Sequence, residues 1–192
     1  MTTFVLATHN AHKVAELRRI LGDRLGEHEL IGYDGPAPVE DGDTFEANAL
    51  IKARAAHLHT GLPALADDSG ISIAALGGQP GIDSAHYSGE RDDAANLRLV
   101  LRNLEGVTDR AATFVCAAAL VDDDGEQTVR GEWPGEVLEA SAGEGGFGYD
   151  PIFRPEGETR SAAELSPAVK DADSHRSRAF VGLADILRRT YG

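Results

Sequence analysis

The strand-to-helix junction at residues 8–13 carries side chains that suit a phosphorylated ligand. Such a junction offers free backbone N–H groups and the positive end of the helix dipole. Thr8 and Asn10 add polar side chains, and Lys13 adds a positive charge within reach of the first helical turn. The segment therefore favours phosphate binding, although an ordinary Asn N-cap followed by a surface lysine would give the same pattern.

An acidic segment, Asp67-Asp68-Ser69-Gly70, suits a divalent cation. It follows an apolar run, so we expect a turn that presents both carboxylates at the end of a strand. Mg²⁺ usually takes one or two carboxylates together with water and substrate phosphates. Glu40 is distant in the sequence but could meet Asp68 in the fold. In a chain with 32 acidic residues, a solvated surface carboxylate is the alternative interpretation for any one of them.

Two further segments could recognise the rest of a ligand. Residues 143–151 form a glycine-rich loop that presents Phe147, whose ring could stack on a nucleobase or anchor the loop to the core. Ser174 is a predicted helix N-cap and puts His175 and Arg176 in the first turn, where the helix dipole disfavours positive charge. An anionic or carbonyl-bearing ligand would offset that cost, because arginine offers a fixed fork of donors.

Composition narrows the class of protein. The 192 residues carry a formal charge of −14, which argues against a nucleic-acid partner. The single cysteine, Cys116, excludes an internal disulfide, and its apolar neighbours predict a buried, inert thiol. The sequence shows no signal peptide and no apolar run of transmembrane length, so we expect a soluble, cytoplasmic protein with no membrane partner. Only three of the 18 basic residues are lysines, namely Lys13, Lys52 and Lys170.

Hydrophobic periodicity and turn signals predict the elements that must position these segments. We expect strands over 4–7, 29–33, 64–66, 71–74, 111–121 and 127–133, and helices over 10–21, 43–59, 92–104 and from 174 through 187. The second helix has a capping-box signature, Asp43 with Glu46 three residues later. Strand–helix alternation followed by a hairpin predicts a mixed sheet surrounded by helices, as one domain over 1–192.

The ordered set of motifs resembles the inosine triphosphate pyrophosphatase family. The matching stretches lie at 8–13, 43–52, 66–70, 76–81, 145–151 and 174–176, so the resemblance covers almost the whole chain. It implies an α/β fold with a long mixed central sheet, two lobes with an active-site cleft between them, and a homodimer. It also implies Mg²⁺-dependent hydrolysis of non-standard purine nucleoside triphosphates (ITP, dITP and XTP) to the monophosphate and pyrophosphate.

The resemblance further implies a role for each matching residue. Glu40 and Asp68 would bind the metal, and Asp68 would accept the proton of the attacking water. The implied phosphate contacts are Thr8, Asn10, Lys13 and Lys52. The other implied substrate contacts are His9 and Ser69, together with a group that would enclose the base, namely Phe147, Gly148, Tyr149, Asp150, Lys170, His175 and Arg176.

Two positions depart from the pattern of that family. His9 stands where glycine is common, and His86 stands where arginine is common, which affects any charge that this loop offers to a triphosphate or a partner subunit. Two other functions are compatible with the residues. One is a related metal-dependent phosphohydrolase with a different base preference, and the other is a nucleotide-binding module without turnover.

Overall fold

The computed structural model describes all 192 residues as a six-stranded mixed sheet with five α-helices. The strands are β1 (Thr3–Leu6), β2 (Glu29–Gly32), β3 (Ala64–Ile73), β4 (Ala111–Asp122), β5 (Gly125–Val137) and β6 (Phe153–Pro155). The helices are α1 (Ala11–Leu21), α2 (Phe45–Thr60), α3 (Asp93–Asn103), α4 (Pro167–Asp173) and α5 (His175–Tyr191). The strand order is β2-β1-β3-β4-β5-β6, with β1 parallel to β2 and β3 and with β5 antiparallel to β6. The predicted mixed α/β sheet is confirmed.

Side-chain caps determine where α1 and α5 begin. The Asn10 side chain accepts hydrogen bonds from the backbone N–H groups of His12 and Lys13, and it thereby satisfies two donors that a helix start leaves unpaired. Ser174 does the same for α5, since its hydroxyl accepts from the N–H of Ser177. Both N-caps are those that the sequence predicted.

The start of α2 differs from the prediction. Thr44 is the N-cap, and its hydroxyl accepts from the N–H of Ala47 at 3.1 Å. The predicted capping box of Asp43 and Glu46 is therefore wrong by one residue. Glu46 instead pairs with Arg130, 3.0 Å away on β5. Thr44 serves because its extended backbone aims its hydroxyl at the first turn of the helix.

Strand β3 differs more substantially. The sequence predicts two strands with an Asp67–Gly70 turn between them, but the structure has one continuous strand of 10 residues, and that turn is wrong. Asp67 and Asp68 lie in its middle and are both buried. A buried carboxylate is costly unless it is paired. The pairing groups here are Lys13 and Lys52, which approach from α1 and α2.

The chain forms two compact units, each with its own apolar core. The first unit comprises Met1–Asp68, Cys116–Gly131 and Ser174–Gly192, and the second comprises Ser69–Val115 and Glu132–Asp173. Leu65 and Phe180 lie in the core of the first, and Ile73 and Phe153 in that of the second. Cys116 is fully buried as predicted, and burial raises the pKa of its thiol. None of the helices combines the length and apolar character needed to cross a membrane.

Candidate active site

Two of the lysines predicted to hold phosphates lie against the carboxylates of β3. Lys13 Nζ donates to Asp67 Oδ2 at 2.9 Å. Lys52 Nζ lies 3.1 Å from Asp68 Oδ1 and 2.8 Å from Glu40 Oε2. Lys52 therefore bridges the two residues that were predicted to bind a metal, so the structure brings these predicted site residues together in the first unit.

The charged form of Asp67 is stabilised by its surroundings. Burial alone raises the pKa of Asp67, but the positive charges of Lys13, Arg176 and Lys52 outweigh burial. The pKa of Asp67 consequently falls well below the usual range of an aspartate. Its Oδ2 atom accepts the lysine hydrogen bond, and this carboxylate keeps its negative charge inside the protein.

The pKa of Asp68 shifts in the opposite direction. Burial raises the pKa of Asp68, the nearby charge of Asp67 raises it further, and Lys52 and Lys13 offset only part of the rise. Its Oδ1 accepts from Lys52, whereas Oδ2 is buried without a hydrogen-bond partner. The pKa of Lys52 is raised, because its three acidic neighbours outweigh burial, so Lys52 keeps its proton. Asp68 is thus suited to accept a proton or to ligate a cation.

Arg176 lies in the first turn of α5 and is fully buried. Its Nη1 donates to Glu16 Oε2 at 2.9 Å, and its Nε lies 3.5 Å from Asp67 Oδ2. These carboxylates supply negative charge beside Arg176, where the sequence predicted an anionic or carbonyl-bearing ligand. His175 is buried beside it. Gly131 allows β5 to approach this turn, since a Cβ atom there would collide with the His175 carbonyl oxygen.

The junction of β1 and α1 groups the remaining predicted phosphate contacts. Thr8 Oγ1 accepts from the N–H of Asn10 at 3.2 Å, and Asn10 caps the helix. His9 Nε2 lies 3.0 Å from the carbonyl oxygen of Gly35, and its ring lies 5.6 Å from that of Tyr33. Thr8 is partly exposed and His9 and Asn10 are exposed, so all three are open to a ligand at the helix start.

The second unit holds most of the predicted base contacts in one cluster. Asp150 Oδ2 accepts from Lys170 Nζ at 2.7 Å and from the N–H of Phe147 at 3.0 Å. Lys170 Nζ also lies 5.2 Å from the centre of the Phe147 ring, a cation–π distance. Tyr149 is different, because its hydroxyl donates to the carbonyl oxygen of Ser84 at 2.6 Å and is buried. The cluster therefore presents the half-buried Phe147 ring rather than the Tyr149 hydroxyl.

Comparison with known proteins assigns the family. Residues 4–186 match the Ham1 family. The chain belongs to that family. A dITP/XTP pyrophosphatase of Leifsonia xyli subsp. xyli is 54% identical over 98% of this chain and 96% of that protein. A dITP/XTP pyrophosphatase of Streptomyces coelicolor is 50% identical over the full length of both.

A solved structure agrees with this assignment. The HAM1 protein from Coxiella burnetii is 43% identical and superposes with a TM-score of 0.90, over 98% of this chain and 100% of that one. The family and the α/β fold that the motifs predicted are thereby confirmed.

The donor atoms of this Ham1 protein fit a cation of the Mg²⁺ type. No group of three or more histidine, cysteine or acidic side chains is placed so that it could hold a metal ion by itself. Mg²⁺ needs no such group, because it takes one or two carboxylates and completes its shell with water and phosphate oxygens. Glu40 is one-third exposed, and Asp68 Oδ2 has no hydrogen-bond partner, so each carboxylate has an oxygen with unused capacity for a further ligand.

Three residues outside the predicted set also hold parts of the site. Glu16 pairs with Arg176, and its place on the buried face of α1 was a signal that helical periodicity could have shown. Asn48 accepts from the N–H of Gly42 and lies inside a recognised motif. Asp93 accepts from the N–H of Gly148 at 3.0 Å. Acidic residues are common at helix starts, so the sequence alone did not indicate this contact. Ser69, a predicted contact, lies half-buried in β3.

Proposed function

We propose that this Ham1 protein hydrolyses non-standard purine nucleoside triphosphates (ITP, dITP and XTP) to the monophosphate and pyrophosphate, with Mg²⁺ as cofactor. The observation that carries the proposal is the Lys52 bridge between Glu40 and Asp68, where Asp68 Oδ2 is left without a partner. Relatives 54% and 50% identical are named dITP/XTP pyrophosphatase, which supports the same substrate class.

The phosphates would bind at the lysines and at the start of α1. An ammonium group has three donors, so Lys13 and Lys52 can each keep a carboxylate partner and still donate to a phosphate oxygen. The N-terminal end of α1 adds the favourable end of a helix dipole. Thr8 and Asn10 lie at that end and contribute polar atoms.

The balance of charge among the paired side chains of the first unit favours a divalent cation for such a substrate. The charged side chains that pair with one another around Asp67 and Asp68 are Lys13, Lys52, Arg176, Glu16, Glu40, Asp67 and Asp68. The carboxylates outnumber the basic groups, so a triphosphate gains little net attraction from the side chains alone. Mg²⁺ held by Glu40 and Asp68 would neutralise charge on the phosphate oxygens.

Asp68 is the proposed proton acceptor. A water molecule attacks the α-phosphorus and gives its proton to Asp68, and the bond from that phosphorus to the oxygen bridging to the β-phosphate breaks. Pyrophosphate leaves with that oxygen. The pKa of Asp68 is raised, and a general base is most effective when its pKa lies near the working pH. Lys13 and Lys52 would stabilise the charge that develops on the leaving group.

The base would be recognised by stacking and by hydrogen bonds. Phe147 offers an aromatic face, and Lys170 lies against that ring as a donor. The 6-keto oxygen of inosine and xanthosine accepts a hydrogen bond, whereas adenine presents an amino donor that would leave a protein donor unpaired. The further proposed substrate residues are His9, Ser69, Gly148, Tyr149, Asp150, His175 and Arg176.

A substrate panel with pyrophosphate detection tests the proposal. We expect Mg²⁺-dependent pyrophosphate release from ITP, dITP and XTP that greatly exceeds release from ATP and GTP. Equal rates on ATP, or inorganic phosphate as the first product, would contradict it. Preferred turnover of a modified pyrimidine would favour the related phosphohydrolase, and tight ITP binding without hydrolysis would favour the binding module.

A homodimer and a cytoplasmic location belong to the same proposal. Sedimentation of the purified chain tests the dimer, and fractionation of cells that express it tests the location.

A further inference from the structure

We propose that Asn48 is a positioning residue that fixes Glu40 through the backbone of Gly42. The inference deepens the proposed function, because it rests on Glu40 as a metal ligand. Its physical basis is that a metal ligand must be held in place by groups outside the coordination shell.

Glu40 lies on the segment between β2 and α2, which has no regular secondary structure. Between residues 37 and 43 the backbone makes one hydrogen bond, from the N–H of Gly42 to Asn48 Oδ1 at 2.8 Å. The Glu40 side chain makes a separate contact with Lys52. Without the Asn48 bond, that side-chain contact alone would hold this part of the segment, and its backbone could move.

Asn48 and Lys52 lie four residues apart on α2 and so share one face of the helix. One helix therefore provides both attachments: an amide for the backbone at Gly42 and an ammonium for the Glu40 carboxylate. Asn48 is 4% exposed, and an amide at a buried helical position is costly unless it is hydrogen-bonded. The bond to Gly42 accounts for a polar residue at this position.

Gly42 gives independent support for a close contact. A Cβ atom on Gly42 would lie 2.8 Å from Asn48 Oδ1 and 2.8 Å from Ala47 Cβ, which is closer than real contacts allow. The segment reaches Asn48 only because position 42 has no side chain. Gly42→Ala should therefore push the segment away from α2 even though Asn48 is retained.

Mn²⁺ binding to the full chain, measured by the electron paramagnetic resonance of the free ion, tests this role. Changes to groups that orient metal ligands typically weaken affinity by about 10–100-fold. We expect Asn48→Ala and Gly42→Ala each to weaken Mn²⁺ binding by roughly tenfold or more. Amide exchange at Gly42, followed by NMR without metal or nucleotide, should accelerate in Asn48→Ala.

Thr44→Ala is the matched control. It removes the N-cap of the same helix, which destabilises the helix start, but leaves the Gly42 bond in place. We expect Thr44→Ala to lower the melting temperature without weakening Mn²⁺ binding. If Thr44→Ala weakens binding as much as Asn48→Ala, the effect is general destabilisation and the inference is overturned.

Glu40→Gln separates this inference from the proposed function. If Glu40→Gln leaves Mn²⁺ affinity unchanged, Glu40 is not a metal ligand and that part of the proposed function fails. If Glu40→Gln weakens binding while Asn48→Ala and Gly42→Ala do not, only the positioning role is overturned. Weakening in all three, with Thr44→Ala unaffected, supports both.

Discussion

Asp67 and Asp68 are consecutive residues of β3, and the pKa values of their carboxyl groups move in opposite directions. Neighbouring residues of a strand point to opposite faces, so the two carboxylates meet different partners. Asp67 meets Lys13 and Arg176, and Asp68 meets Lys52. The fold thus stabilises one charge and opposes the other, and the two residues should respond differently to substitution.

Asp68→Asn should abolish ITP hydrolysis without unfolding the protein. Loss of a general base typically costs about 10²–10⁴-fold in rate, and loss of a proposed metal ligand adds to that. The folded protein raises the pKa of Asp68, which means that it disfavours the charged form, so a neutral amide should not lower the free energy of unfolding. Pyrophosphate release and urea unfolding measure the two effects. Retained turnover would assign the proton acceptor elsewhere.

Asp67→Asn, unlike Asp68→Asn, should lower the free energy of unfolding. It leaves the partly buried Lys13 and the buried Arg176 without their shared carboxylate, and loss of one partner from a buried ion pair costs about 3–5 kcal/mol. The lowered pKa of Asp67 means that its charge stabilises the fold above the ordinary aspartate pKa of 3.8, and this contribution is lost as the pH falls towards the folded pKa.

Urea unfolding of wild type and Asp67→Asn at several pH values checks this. The difference in unfolding free energy should be largest near neutral pH and should shrink below pH 3.8. Asp68→Asn, one residue away on the same strand, is the control. Equal stability of the two variants would contradict the opposite environments of these residues.

Local signals in the sequence account for the elements that were predicted correctly. Asn10 and Ser174 start helices because an N-cap acts on N–H groups within three residues, so its effect can be recognised without the fold. The predicted turn at Asp67 failed for the converse reason. An Asp-Asp-Ser-Gly segment resembles a turn locally. A buried strand position is tolerable for Asp67 because of partners that are distant in the sequence, such as Lys13, 54 residues away.

In the candidate site, too, local motifs were predicted correctly but partners distant in the sequence were not. The motifs identified Lys52 and Asp68, which lie near each other in space as expected. They did not show that Arg176 would be paired with Glu16, because these residues are 160 positions apart and neither motif specifies the other. Such partners follow from the way α1 packs on α5, which depends on the whole apolar core of the first unit.

Lys52→Arg should impair hydrolysis even though the charge is kept. A guanidinium is planar and larger than an ammonium, so it cannot easily take the place between Glu40 and Asp68 and still donate to a phosphate. We expect kcat/KM for ITP to fall by roughly tenfold or more, whereas complete loss of a transition-state donor typically costs about 10²–10³-fold. Arg54→Lys is the control, since Arg54 lies on the same helix in an exposed pair with Glu126. Full activity of Lys52→Arg would show that any positive charge suffices there.

Phe147→Leu should weaken the binding of ITP more than it slows the chemical step. Base stacking on an aromatic ring is worth about 1–3 kcal/mol, so KM should rise by about fivefold or more while kcat changes little. Leucine keeps an apolar side chain, and the hydrogen bond from the Phe147 N–H to Asp150 involves the backbone, so the loop should keep its conformation. Phe147→Tyr retains the ring and should retain the KM. If Phe147→Leu binds ITP as wild type does and melts at the same temperature, the ring is a structural anchor and the base is recognised by other residues.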